Sequence, residues 1–157
     1  MQHSSVLNYQ QNLQSLIGAS VQKIHHIKDG ILHIYFVPRQ EDLGVEQEVV
    51  LYVDGNWELV NQDGQKALTS DSAFEDLESF AQNPPLNTVQ SVQVARNGKQ
   101  LEIQFSQLRL TVFQSPWGLA SLKRVIVLSN GKYLYIHDRL TEDLAEFEHR
   151  EVIDPKK

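Results

Sequence analysis

Cysteine is absent from this sequence, which excludes disulfide bonds, thiolate catalysis and cysteine-based zinc sites. Long apolar runs are also absent, and none is long enough to cross a bilayer as a helix. The first residues contain neither a basic leader nor an unbroken apolar stretch, so they do not resemble a secretion signal. We therefore expect a cytoplasmic protein that has no membrane partner.

Positive charge is scarce in a chain that is otherwise ordinary in size and apolar content. Fourteen lysine and arginine residues stand against 20 aspartate and glutamate residues, and the formal net charge is −6. Phosphate backbones bind clustered cations, because those cations release the counterions of the nucleic acid. The balance therefore disfavours a nucleic acid as partner and favours a basic protein. With 157 residues, the chain fits a single domain, 1–157.

Most of the sequence consists of short segments in which apolar and polar residues alternate, as in half-buried strands. Two-residue turn signals separate several of these segments and predict hairpins. These signals are Asp29-Gly30, Asn97-Gly98 and Asn130-Gly131.

Helical spacing is confined to three places. A short N-terminal helix is expected to end at Gly18, and a C-terminal helix is expected to bury Phe147. Between them, a linking helix is predicted over residues 72–82, where Ser72 and Glu75 have the spacing of a capping box. Two prolines after residue 83 stop this helix.

The order of apolar residues in 16–69 recurs in 86–137, which predicts an internal repeat. The spacing between matched residues falls by ten after Phe36, so the first half carries about ten additional residues, Pro38 to Glu48. The matched pairs are Val21 with Val89, Leu32 with Leu101, Ile34 with Ile103, Phe36 with Phe105, Leu51 with Leu110, Val53 with Val112, Trp57 with Trp117 and Leu59 with Leu119.

These patterns predict an α+β fold that is mainly antiparallel β. Two repeated β-meanders would pack as a sandwich or a partly closed barrel, joined by the linking helix and flanked by short terminal helices. Loops added to a shared scaffold are common places for binding, so the additional segment of the first half is a candidate interaction site.

The motif order resembles that of an uncharacterised family of small bacterial proteins with a duplicated β-meander. It consists of L-x-G-x-x-V from Leu16 to Val21, a hairpin, L-x-I-x-F, a strand leading into W-x-L, a short helix and a second round that ends near Ile136. Some small acidic bacterial proteins of this general type are immunity proteins, which neutralise toxins made beside them. The resemblance therefore implies an immunity function and supplies no catalytic residues.

Carboxylates are concentrated in the additional segment and on the linking helix. They would create a negative field that steers a basic partner, although they would equally serve to solvate a loop and an exposed helix face. The proposed partner-binding residues are Glu41, Asp42, Glu46, Glu48, Glu75, Asp76 and Glu78.

Three aromatic residues, Tyr52, Trp57 and Trp117, would line a ligand-binding cleft between the two repeats. The alternative is that they fill cross-strand core positions, as aromatics in strands commonly do. If they form a cleft, the protein is a small-ligand-binding module.

Histidines are the other residues that suggest chemistry. His25, His26 and His33 lie near Asp29, but strand alternation puts His25 and His26 on opposite faces, and a metal site needs three or four converging ligands. The triplet His137-Asp138-Arg139 is accompanied by no nucleophile elbow, phosphate loop or H-E-x-x-H motif, and we expect a polar strand-to-helix junction there. We predict no metal, no cofactor and no enzymatic activity.

Together these observations favour a non-enzymatic binding protein, most concretely an immunity protein that occludes a cognate toxin by steric and electrostatic means. The alternative is the small-ligand-binding module. The sequence alone predicts neither the toxin nor the oligomeric state.

The acidic segment generates a first prediction. If it contacts a basic partner, association should slow sharply with added salt, because salt screens charges at the surface. Charge reversal in this segment should weaken the complex in a binding assay, and an unchanged affinity would remove the segment from the interface. The residues to reverse are Glu41, Asp42, Glu46 and Glu48.

Overall fold

A computed structural model describes residues 13–27, 31–37, 46–53, 56–83, 86–95, 100–113, 120–128, 130–140 and 147–153. Within these ranges no helix is long and apolar enough to cross a membrane. The strands are β1 (Ser20–Ile27), β2 (Ile31–Val37), β3 (Glu46–Val53), β4 (Trp57–Asn61), β5 (Lys66–Thr69), β6 (Ser91–Ala95), β7 (Gln100–Gln104), β8 (Leu108–Phe113), β9 (Ala120–Val127), β10 (Tyr133–Leu140) and β11 (Phe147–Ile153), and the helix is α1 (Phe74–Gln82).

The strands form two open antiparallel sheets. Sheet A has the order β1-β2-β3-β9-β10-β11, and sheet B has the order β5-β4-β8-β7-β6. The predicted predominance of antiparallel strands is therefore confirmed. Since neither sheet closes on itself in the described part of the chain, the arrangement is consistent with a sandwich and not with a closed barrel.

The core lies between the inner faces of the two sheets. Strands β2 and β7 alternate buried and half-buried residues along their length, as a period of two requires. Ile34 of sheet A and Ile103 of sheet B have no exposed surface and belong to the same apolar cluster. A slip of one residue in either strand would turn this apolar row away from the core, so burial determines the register.

Each sheet combines strands from both halves of the chain. Sheet A joins β1, β2 and β3 to β9 and β10, whereas sheet B joins β6, β7 and β8 to β4 and β5. The chain therefore leaves sheet A after Val53 and enters sheet B at Trp57. The sequence predicted most of the strands but not this exchange, in which neither meander forms a sheet of its own.

The strand register supports the correspondence of β1–β3 with β6–β8. Ile34 pairs with Leu51, and their counterparts Ile103 and Leu110 pair with each other in the same way. The same holds for two further matched pairs, Leu32 with Val53 and Leu101 with Val112.

The register does not support the match between the two tryptophans. Leu59 pairs with Leu110, whose counterpart Leu51 pairs with Leu122. By this register, Leu59 corresponds to Leu122. Trp57 lies two residues before Leu59, so its counterpart lies two residues before Leu122, which is later in the chain than Trp117. Trp117 itself lies outside the described residues.

One corner of the sandwich joins the edges of the two sheets. The N–H of Val21 donates to the carbonyl oxygen of Asn87 (3.1 Å), and the N–H of Val89 donates to that of Ala19 (2.9 Å). These bonds connect segments that the sequence comparison matches. Just before them, Gly18 has a φ of 88°, a left-handed conformation that favours glycine, and it follows the turn of residues 13–17.

Helix α1 covers part of the core, and its start differs from the prediction. The helix is preceded by Ala73, and no side chain caps it. The capping box is therefore wrong, because the Ser72 hydroxyl instead accepts a hydrogen bond from the N–H of Thr69 (2.9 Å) in the preceding turn. Leu77 and Phe80 anchor the helix in the core.

The C-terminal region also differs from the prediction. Phe147 starts β11, so the expected helix that buries Phe147 is wrong at this residue. Strand β11 pairs along β10. It thereby provides hydrogen-bond partners for backbone groups of β10 that would be unpaired if β10 were the edge strand. The triplet His137-Asp138-Arg139 therefore lies within β10, in register with β11, and not at a strand-to-helix junction.

Equal burial of the matched isoleucines generates a second prediction. Ile34→Ala and Ile103→Ala should each lower the free energy of unfolding by about 2–5 kcal/mol, because each leaves a cavity in a fully buried site. Val37→Ala, at a residue that is 47% exposed, is the control and should change stability by less than about 0.5 kcal/mol. Chemical denaturation measures all three, and a loss below about 1 kcal/mol at either isoleucine would contradict the shared core.

Candidate functional site

The predicted carboxylates do not all lie together. Glu41 and Asp42 are outside the described residues, and only the backbone of Glu46 is described. Glu48 lies beside the buried Val49 in β3, so it points away from the core, whereas α1 packs on the core side. The structure therefore separates Glu48 from the carboxylates of the linking helix.

Glu48 is already paired within sheet A. Its Oε1 atom lies 3.2 Å from the Nζ atom of Lys123, whose side chain is 18% exposed. Burial lowers the pKa of Lys123, but the hydrogen bond with Tyr52 and the charges of Tyr52 and Glu48 together raise it above its ordinary value. Lys123 consequently stays protonated at neutral pH and offsets the charge of Glu48.

Two of the three aromatic residues predicted to line a cleft, Trp57 and Tyr52, lie in different environments. Trp57 is 1% exposed and packs against Phe80 in the core, with 6.1 Å between the ring centroids. Tyr52 faces the opposite side of sheet A, where its ring contacts His33 edge-on at 4.7 Å. Trp57 therefore has a packing role, and a cleft shared by Trp57 and Tyr52 is not present.

The histidines of the first hairpin lie on opposite faces, as alternation predicted. His25 pairs with His33 across the strands and contacts Tyr35, with 5.1 Å between ring centroids, whereas His26 pairs with Leu32. Among the described residues, no group of three or more potential ligands has the geometry to hold a metal ion. Asp29 lies outside this part of the chain.

His26 connects sheet A to helix α1. Its Nδ1 atom lies 2.9 Å from Oε1 of Glu78, and its side chain is only 2% exposed. The ring also contacts Phe74, with 5.5 Å between centroids. Sequence reasoning missed this contact, although His26 falls on the same side of β1 as the buried Ile24, and a polar residue on an apolar face needs a partner.

The charged side chains of α1 and of the turn before it are all acidic, and together with Phe74 we call them the acidic face. No lysine or arginine occurs between residues 71 and 83. At the start of the helix, the side chain of Phe74 is 63% exposed. The acidic face consists of Asp71, Phe74, Glu75, Asp76 and Glu78.

A groove of about 510 Å³ lies between α1 and sheet B. Its floor is apolar, and its polar groups come from α1 and its flanking residues. The sequence contains no local signal for this groove, because it results from how the helix packs on the sheet. The lining residues are Leu59, Ala67, Leu68, Ser72, Asp76, Ser79, Phe80, Asn83 and Leu108.

The contact between His26 and Glu78 generates a third prediction. Glu78→Ala should lower the free energy of unfolding by about 1–3 kcal/mol, because it leaves the buried Nδ1 atom of His26 without its partner. Glu75→Ala removes an exposed carboxylate from the same helix and should have little effect on stability. Equal losses for the two variants in thermal or chemical unfolding would contradict a specific role for this contact.

Comparison of the chain with protein-family models, curated proteins and solved structures found no match. The geometry of the described residues is therefore the basis on which a function is proposed.

Proposed function

We propose that this chain is a non-enzymatic binding protein whose acidic face docks a basic protein, and that it acts as an immunity protein in the bacterial cytoplasm. The partner would be a cognate toxin, which is neutralised because the bound chain blocks its functional surface. The observation that carries this proposal is an exposed aromatic residue, Phe74, which is followed in sequence by Glu75 and Asp76, with no lysine or arginine between residues 71 and 83.

The composition of the acidic face suits a protein interface. Energetically dominant residues in interfaces are often aromatic and lie inside a rim of residues that contribute less. Phe74 provides such an anchor, and Asp71, Glu75 and Asp76 provide a charged rim. Complementary charge accelerates encounter with a basic protein and disfavours acidic ones.

The packing of α1 supports a rigid docking surface. Leu77 and Phe80 are buried in the core, and the contact between His26 and Glu78 fixes the helix against β1. A surface that is ordered before binding loses less conformational entropy when the complex forms. Occlusion would then require neither a cofactor nor a change in fold.

The additional segment of the first half is a second, separate contact in this proposal. Glu41, Asp42 and Glu46 would supply its negative charge. Glu48 contributes less to this field than the sequence suggested, because Lys123 lies 3.2 Å from its carboxylate.

A second candidate function is the binding of a small ligand. The groove beside α1 favours it, since a cavity of about 510 Å³ is within the range of small-molecule sites. Ligand binding in this groove does not require an aromatic cleft between Trp57 and Tyr52.

Binding to the product of the adjacent gene tests the immunity proposal and gives a fourth prediction. Phe74→Ala should increase the dissociation rate by about tenfold or more, as expected for an interface anchor. Glu75→Lys should slow association several-fold and reduce its dependence on salt. Surface plasmon resonance at two salt concentrations measures both effects.

Glu102→Lys is the matched control for charge, because Glu102 lies on β7 between the buried Leu101 and Ile103 and so faces away from the core of sheet B. It should leave both rates unchanged. Growth of cells that produce the adjacent gene product distinguishes immunity from binding alone. We expect the wild-type chain to protect these cells and the Phe74→Ala variant to lose this protection. Association and dissociation rates that neither Phe74→Ala nor Glu75→Lys changes would exclude the acidic face from the interface.

A further inference from the structure

The groove beside α1 has an apolar floor that the helix leaves open. Leu59 and Phe80 are almost fully buried, whereas Leu68 and Leu108 are half-buried at the open end of sheet B. A ligand with an apolar chain would cover this remaining surface. Burial of apolar surface stabilises such a complex.

The polar residues of the groove come from one side. Ser72, Asp76, Ser79 and Asn83 lie along α1 and its ends, while sheet B supplies the apolar floor. A site that is apolar on one side and polar on the other selects an amphipathic ligand and determines its orientation.

Among the described residues that line the groove, Asp76 is the only ionisable one. It forms no ion pair with any residue in the described ranges. Lys66, which neighbours the lining residue Ala67, is already bound to Glu58, with 3.2 Å between Nζ and Oε2. The carboxylate of Asp76 is therefore available to a cation from outside.

We infer that this groove binds a small amphipathic amine, with its alkyl or aryl chain on the leucine floor and its ammonium group at Asp76. An ammonium group has three donors, and the Asp76 carboxylate and the hydroxyl oxygen of Ser79, one turn later on the same side of α1, are acceptors that line the groove. The groove shares Asp76 with the rim of the acidic face but not the anchor, because Phe74 does not line the groove. The inference rests on the second candidate function, small-ligand binding in this groove, and names the ligand class.

Trp57 provides an internal reporter of binding. Its ring packs on Phe80, which lines the groove, with 6.1 Å between the ring centroids. The chain has two tryptophans, so Trp57 is the only one in a Trp117→Phe variant. A ligand that contacts Phe80 should change the fluorescence of Trp57.

The test compares n-octylammonium, n-octanol and n-octanoate, which share a chain and differ in the charge of the head group. We expect saturable binding of n-octylammonium, and binding of n-octanol about tenfold or more weaker, because a hydrogen bond to a charged group contributes more than one between neutral groups. n-Octanoate should bind most weakly. Isothermal titration calorimetry on the wild type gives the same ranking without the Trp117 substitution.

Two isosteric variants assign the selectivity to a residue. Asp76→Asn should reduce the preference for n-octylammonium over n-octanol about tenfold, whereas Glu75→Gln, on the same helix but outside the groove, should preserve it. Circular dichroism establishes that both variants are folded. Phe74→Ala should leave n-octylammonium binding intact, so this outcome is independent of the immunity proposal.

Three results would overturn the inference. The first is the absence of saturable n-octylammonium binding to the wild type. The second is equal affinity for the three head groups, which would remove Asp76 from recognition. The third is an equal effect of Asp76→Asn and Glu75→Gln, which would indicate a general field of the acidic face and not a site in the groove.

Discussion

The structure depends on one constraint: the apolar faces of two open sheets must be buried against each other. Ile34 and Leu51 of sheet A and Ile103 and Leu110 of sheet B form neighbouring pairs within this core, and all four are almost inaccessible to solvent. Because side chains alternate along a strand, this burial determines the register and directs the intervening polar residues outward. The outward positions of Glu48 and Tyr52 on sheet A follow from this alternation.

The exchange of strands makes the two halves interdependent. Each sheet contains strands from both halves, so neither half can complete a sheet alone. Helix α1 then covers the core only in part. Its buried side, Leu77 and Phe80, completes the packing, while its outward side carries the acidic face and one flank borders the groove. One short helix thus positions both proposed binding surfaces, which differ in the chemistry they recognise.

The contact between His26 and Glu78 connects core and surface. His26 projects from β1 into the interior, and Glu78 reaches it from a helix whose outer side is solvated. A buried polar group without a partner is costly, so the contact favours one position of α1 on the sandwich. The position of α1 in turn determines the exposure of Phe74 and the opening of the groove.

The sequence by itself determined most of the strands and most of α1, because alternation and helical spacing are local properties, although it predicted a helix where β11 begins. It also placed Glu75, Asp76 and Glu78 on a helix. Only the tertiary structure decided the exchange of strands between sheets, the pairing of β11 with β10, the burial of Trp57 and the groove at Asp76. These features result from contacts between residues that are distant in sequence. Such contacts produce no periodic pattern of apolar residues along the chain.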